Sequence, residues 1–153
     1  MSLKQQLFED MKTAIKAGDK FTLGVIRLAN AAIKQAEIAK REDGKQGDLD
    51  DTSVIAVLNR MVKQRQDAVE LYQRAGRTDL ARVEHSEIQV IERYLPPKLD
   101  VFQIGSAIQE AIVASGARGI ADMGLVMNLL KSSLAGQADM RELSSRVKEA
   151  LSH

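Results

Sequence analysis

The sequence predicts an all-α protein, a bundle of about four helices followed by a three-helix tail. Three observations carry this. Apolar residues recur at helical spacing almost throughout, with no credible run of period two. Capping patterns precede the apolar stripes and glycines follow them. The only prolines are adjacent, Pro96 and Pro97, and such a pair ends a helix. The expected division is therefore a bundle over 1–96 and a tail over 97–153.

In order, the first helix starts at Ser2, whose "SLKQ" reads as a capping box, and carries Leu3, Leu7, Met11 and Ile15 on one stripe. Gly18 stops it and Asp19 caps a second helix over about 20–42, with Ile26, Ala29, Ile33 and Ala36 inward. After the polar turn "EDGKQGDLDD", Asp51 or Thr52 caps a long third helix ending near Gly76. A fourth runs from about Thr78 to Leu95. Asp100 opens a fifth with "DVFQ", and Gly116 closes it. The sixth begins near "ADMG", presents Met123, Val126, Met127, Leu130 and Leu134, and ends at Gly136. Asp139 starts the seventh, lined by Leu143, Val147 and Leu151.

The stretch "VKQRQDAVELYQRAGRTDL" is basic enough to hold a phosphate backbone. At about 100° per residue, Ile55, Leu58, Val62, Val69 and Tyr72 form one stripe of the third helix, and Arg65 falls in its middle. Lys63–Asp67 and Glu70–Arg74 lie outside it at the spacing of exposed helix salt bridges. A guanidinium on an apolar face needs a partner, because an unpaired buried charge is costly. The turn "AGRT" makes the third and fourth helices antiparallel. Counting equal distances from it sets Glu87 opposite Arg65, with Glu84 or Tyr72 nearby. A buried or half-buried Arg65–Glu87 ion pair is expected; the alternative is that Arg65 snorkels to water.

The runs "GVIRLANAAIKQAEI", "VKQRQDAVELYQRAGRTDLARVEHSEIQVIERYLPPKL" and "ADMGLVMNLLKSSLAGQADMRELSSRVKEAL" resemble the YqeY family of small bacterial proteins across nearly the whole chain. The closing run is also similar to the tail domain of the B subunit of the glutamine-dependent aspartyl/glutamyl-tRNA amidotransferase. The resemblance implies a helical bundle followed by a three-helix GatB/YqeY-like tail, and a link to tRNA-dependent amidation. Family members are commonly labelled carbon–nitrogen ligases with glutamine as amido donor. In the amidotransferase the chemistry lies in other parts, and the shared tail is the part thought to touch tRNA.

Taken alone, the residues offer no catalytic motif and imply no cofactor. Glutamine hydrolysis wants an activated nucleophile, but cysteine is absent. Ser86, Ser132 and Ser133 lack an evident basic partner, and "GARGIADMG" fits no phosphate-cradling loop. His85 reads as a solvated histidine and His153 as the chain end; no set of metal ligands is evident. The candidates for RNA contact are Lys12, Lys16 and Lys20 along the first helix, Arg74, Arg77 and Arg82 around the "AGRT" turn, and Arg118 and Lys131 flanking the sixth helix. Net charge is only +1, so any attraction to nucleic acid is local, and no DNA sequence recognition is expected. Phe8, Phe21, Phe102, Tyr72 and Tyr94 fall mostly at core spacings, so no base-stacking platform is expected. No window approaches the ~20 apolar residues of a membrane span. "MSLKQQLFEDMK" lacks the apolar core of a signal peptide, and the missing cysteines suit a reducing cytoplasm. The leading expectation is a non-catalytic, cytoplasmic module that binds tRNA or a tRNA-handling enzyme such as a tRNA-dependent amidotransferase. The alternatives are a component of a glutamine-dependent carbon–nitrogen ligase and a protein–protein adaptor.

Overall fold

The computed structural model describes residues 1–134 and 137–152. They form two compact units, Met1–Leu95 and Pro96–His153, and the chain is all-helical. The first unit holds α1 (Leu3–Ala17), α2 (Lys20–Glu42), α3 (Asp51–Arg74) and α4 (Thr78–Glu92). The second holds α5 (Val101–Ser115), a 3-10 turn (Ile120–Asp122), α6 (Met123–Ser133) and α7 (Met140–Leu151).

The caps explain most boundaries. Ser2 and Asp100 each head a full capping box, with Gln5 and Gln103 returning the bond. Asp50, rather than Asp51 or Thr52, caps α3 through Ser53 N–H. The Asp51 carboxylate instead accepts from Leu3 N–H at 3.0 Å, tying the start of α1 to the start of α3. The helical hydrogen bonding of α4 stops at Glu92, ahead of the prolines, and Arg93–Leu95 close as a turn. The expected stop at Gly136 lies outside the described residues, as does His153.

Each unit has its own core. In the first, Leu7, Ile26, Ile33, Val54, Leu58 and Ile91 are buried together. The inward face of α3 is broader than its sequence stripe and takes in Val54, Val57 and Met61 as well. Ile15 departs from expectation: in the last turns of α1 Ala14 is the buried residue and Ile15 is half-exposed. In the second unit Val126, Leu130, Leu143 and Val147 form the centre, and Met123 and Met127 pack against it.

Helices α3 and α4 are joined by a Schellman turn in which Arg77 N–H bonds Tyr72 O and Gly76 N–H bonds Gln73 O. That closure needs positive φ at Gly76, which has +72°. It folds α4 back along α3. Arg65 Nε then donates to Glu87 Oε2 at 2.9 Å, while Arg65 Nη1 reaches Met61 O at 3.1 Å. The two side chains are 13% and 20% exposed, so the pair sits inside the helix interface.

A second internal charge escaped the sequence reading. Glu37 on α2 is only 4% exposed. Its Oε2 accepts from Lys4 Nζ on α1 at 2.6 Å and from Leu49 N–H, in the connection to α3, at 3.1 Å. Tyr94 makes a comparable tie, donating its buried hydroxyl to Asp10 Oδ2 at 2.6 Å. Burial, with Asp10 beside it, pushes the Tyr94 hydroxyl well above its ordinary range.

The Lys4 bond holds the Glu37 carboxyl below its ordinary value of 4.5. Its folded pKa is thus lower than its unfolded one. The stabilisation is present above about pH 4.5 and is lost as pH falls through the folded value. Glu37→Gln is expected to lower the melting temperature at pH 7 and to make the acid loss of stability shallower. An acid melting profile that matches the parent's would contradict the tie.

Candidate functional site

The eight basic residues picked out as RNA contacts divide between the two units, six in the first and two in the second. Lys12 is occupied: its ammonium lies 3.1 Å from Glu9 and 4.7 Å from the centroid of the Phe8 ring. Arg77 is engaged with its near neighbour Asp79, at 3.1 Å and 3.2 Å. Lys16, Lys20, Arg74, Arg82, Arg118 and Lys131 are exposed and make no ion pair among the described residues. Arg118 precedes the 3-10 turn, and its backbone N–H is taken by Asp122 Oδ2 at 3.0 Å. Of the two surface pairs on α3, Lys63–Asp67 closes at 2.8 Å, whereas Glu70 and Arg74 are not bridged.

The catalytic candidates are spoken for or scattered. Ser132 and Ser133 donate their hydroxyls to Asn128 O and Leu129 O, one turn back on α6. Ser86 and His85 are adjacent, exposed positions on α4. Among the described residues, no three carboxylates or histidines are grouped to hold a metal ion.

What stands out instead is apolar surface on the second unit. Phe102 is 85% exposed, Val113 79% and Val101 64%, all on α5; Leu125 and Leu129, one turn apart on α6, are also exposed. Phe102, Gly105 and Gln109 follow one another at i, i+3 and i+7, so they share a face of α5. Beside that face is a hollow of about 260 Å³, walled by Gly105, Ile108 and Gln109 of α5 and by Arg146, Glu149 and Ala150 of α7. Arg146 reaches across it to donate Nη2 to Val101 O at 3.1 Å. Gly105 makes room for this: a Cβ there would meet Nη2 at 3.3 Å. The other terminal nitrogen, Nη1, is buried without a partner. A guanidinium keeps its charge, and a buried donor left unmade costs about 1–3 kcal/mol.

Two sequence expectations need correction here. Phe8, Phe21 and Phe102 are all substantially exposed, so aromatic platforms exist where core spacing argued against them. Phe8 and Phe21 lie at the edges of the buried faces of α1 and α2, and Phe102 lies on the side of α5 away from Ile104, Ile108 and Ala111. The other correction is an omission, since Glu37 and Arg146 were not singled out. Both had a legible signal: Glu37 follows Ile33 by one turn on the inward stripe of α2, and Arg146 follows Leu143 by three residues on α7.

Comparison with known proteins fits this architecture. The family model described as "Yqey-like protein" matches residues 4–151. The protein named "Altered inheritance of mitochondria protein 41, mitochondrial" from Lachancea thermotolerans is 34% identical over 89 residues, 58% of this chain and 46% of that protein. Its namesake from Meyerozyma guilliermondii is 37% identical over 89 residues, 58% and 44% of the respective chains. The one from Pyrenophora tritici-repentis is 24% identical over 151 residues, covering 95% and 79%. The chain thus spans a little under half the length of the first two relatives. These names overturn the expected cytoplasmic location, because the relatives are called mitochondrial proteins. The expectation rested on missing cysteines, which report a compartment's redox state and not which membrane bounds it.

If Arg146 is held at a cost to the fold, removing its charge while keeping its bulk should not weaken the second unit. Arg146→Met is expected to melt at the parent's temperature or up to about 1 kcal/mol more stably. A clear fall in melting temperature would show that Arg146 is structural.

Proposed function

The chain belongs to the YqeY family, and from that premise we propose that it is a non-catalytic helical module that docks through its C-terminal unit onto a tRNA-handling enzyme. The observation that carries this is the 85% exposure of Phe102, the residue after Val101, whose carbonyl holds Arg146 at the α5–α7 hollow. An exposed aromatic on α5 and an arginine that α7 lends to the same helix have the composition of an interface hot spot. The similarity to the amidotransferase tail supplies the class of partner. Val101 and Val113 extend the apolar face along α5.

A second reading is favoured by Arg74 and Arg82, which stand exposed and unpaired at the α3–α4 turn. Such cations suit the phosphate backbone of tRNA, with contact that weakens steeply as salt rises. A part in a glutamine-dependent carbon–nitrogen ligase is compatible with docking, since the module would then bind the subunits that carry the chemistry.

Binding of the full chain to a purified tRNA-dependent amidotransferase, followed by interferometry, tests the first reading. Phe102→Asp is expected to weaken it by ~2 kcal/mol, about thirtyfold in Kd. No complex, or one indifferent to Phe102→Asp, would refute it. Titration of bulk tRNA at low and moderate salt tests the second, with Arg74→Glu and Arg82→Glu expected to abolish binding. Ammonia release from glutamine by the purified chain alone would contradict the non-catalytic reading.

A further inference from the structure

A groove of about 490 Å³ runs between α1 and α2, within the size range of small-molecule sites. The two helices are antiparallel, and two side-chain contacts mark its ends. Lys4 meets Glu37 at one, and Asn30 Nδ2 meets Met11 Sδ at 3.8 Å at the other. Seven residues separate these contacts on each helix, about 10 Å at the ordinary helical rise. Between them lie Phe8 on one wall and Ile33 and Lys34 on the other.

We propose that this groove binds a single purine nucleotide unit, with its base stacked on Phe8, its polar edge read by Asn30 and its phosphate held by Lys34. Phe8 is 52% exposed although it lines the groove, and the ring face that Lys12 does not cover offers a stacking surface. Asn30 is engaged only through the weak contact to sulfur, and its side-chain oxygen takes no hydrogen bond among the described residues. A side-chain amide in that state can pair with the donor and acceptor that adenine presents side by side. Lys34 is exposed and makes no ion pair among the described residues, unlike Lys4, which Glu37 holds.

Charge decides between occupants. Lys4 is bridged to Glu37 and Glu9 to Lys12, so Lys34 is the one uncompensated charge lining the groove among the described residues. A flat, neutral, hydrogen-bonding base carrying one phosphate fits that charge. A lipid chain would leave the Asn30 amide and the Lys34 ammonium without a polar partner. An amphipathic helix needs a longer apolar stripe than the span between the two end contacts. A free nucleotide and an unpaired position in an RNA strand share this chemistry of recognition. This site lies within the first unit and does not rest on the docking role of the second.

The test is fluorescence titration of the full chain with labelled adenosine monophosphate and, separately, with a labelled five-residue oligoadenylate. Binding of either probe is expected, and tighter binding of the oligonucleotide would identify a strand as the source. Phe8→Leu, which keeps apolar bulk without the ring, should weaken binding about tenfold, and Phe8→Trp should restore it. Lys34→Glu should weaken it comparably and remove most of its salt dependence. Because Phe8 and Lys34 are exposed, circular dichroism melts of these variants should match the parent's. Absence of binding to both probes, or equal binding by Phe8→Leu, would overturn the proposal.

Discussion

Glu87 receives the guanidinium of Arg65 inside the α3–α4 interface, and this bond governs how the chain's positive charge can be used. Arg65 lies at the middle of the helix face that carries the bundle core, so it must be satisfied from within. The Schellman turn at Gly76 fixes the register that brings Glu87 opposite it. With Arg65 internal, Lys63 bridged to Asp67 and Arg77 to Asp79, the most basic stretch of the sequence leaves only Arg74 free for a ligand. In this stretch architecture takes up three of the four cations that composition offers to recognition.

The surfaces proposed for recognition are ones the core does not need. On the second unit these are Phe102, Val101 and Val113, with Arg146 strung across the α5–α7 hollow. On the first unit it is the α1–α2 groove. Its end is closed by Lys4 and Glu37, the same pair that pins the connection between α2 and α3. The groove's shape is therefore tied to the stability of the bundle. Both surfaces combine an exposed aromatic ring with a cation, the composition that binds strongly for the least ordering cost.

Much of the fold was legible because helix signals are local. Ser2, Asp19, Asp100 and Asp139 cap the helices their sequence patterns announce. Counting back from the "AGRT" turn faces Arg65 with Glu87, and in the structure the two are 2.9 Å apart. The misses came where periodicity says which face a residue shares but not whether another element reaches it. Phe8 and Ile15 sit on apolar stripes yet remain uncovered. Glu37 sits on such a stripe and is covered, because Lys4 and the backbone of Leu49 converge on it from elsewhere in the chain. Asp50 and Asp51 are interchangeable as caps by pattern, and only the N–H of Leu3 draws Asp51 away. The location failed for a different reason, because nothing in a residue pattern of the folded chain encodes a compartment.

A double-mutant cycle on the internal pair tests the central claim most directly. Urea unfolding would be measured for the parent, Arg65→Met, Glu87→Leu and the double variant. A buried, bonded pair predicts a coupling energy of about 1.5–3 kcal/mol, with each single variant losing more than the double. Losses that add to within about 0.5 kcal/mol would mean that Arg65 is solvated and available to a ligand, contrary to its place in the bundle.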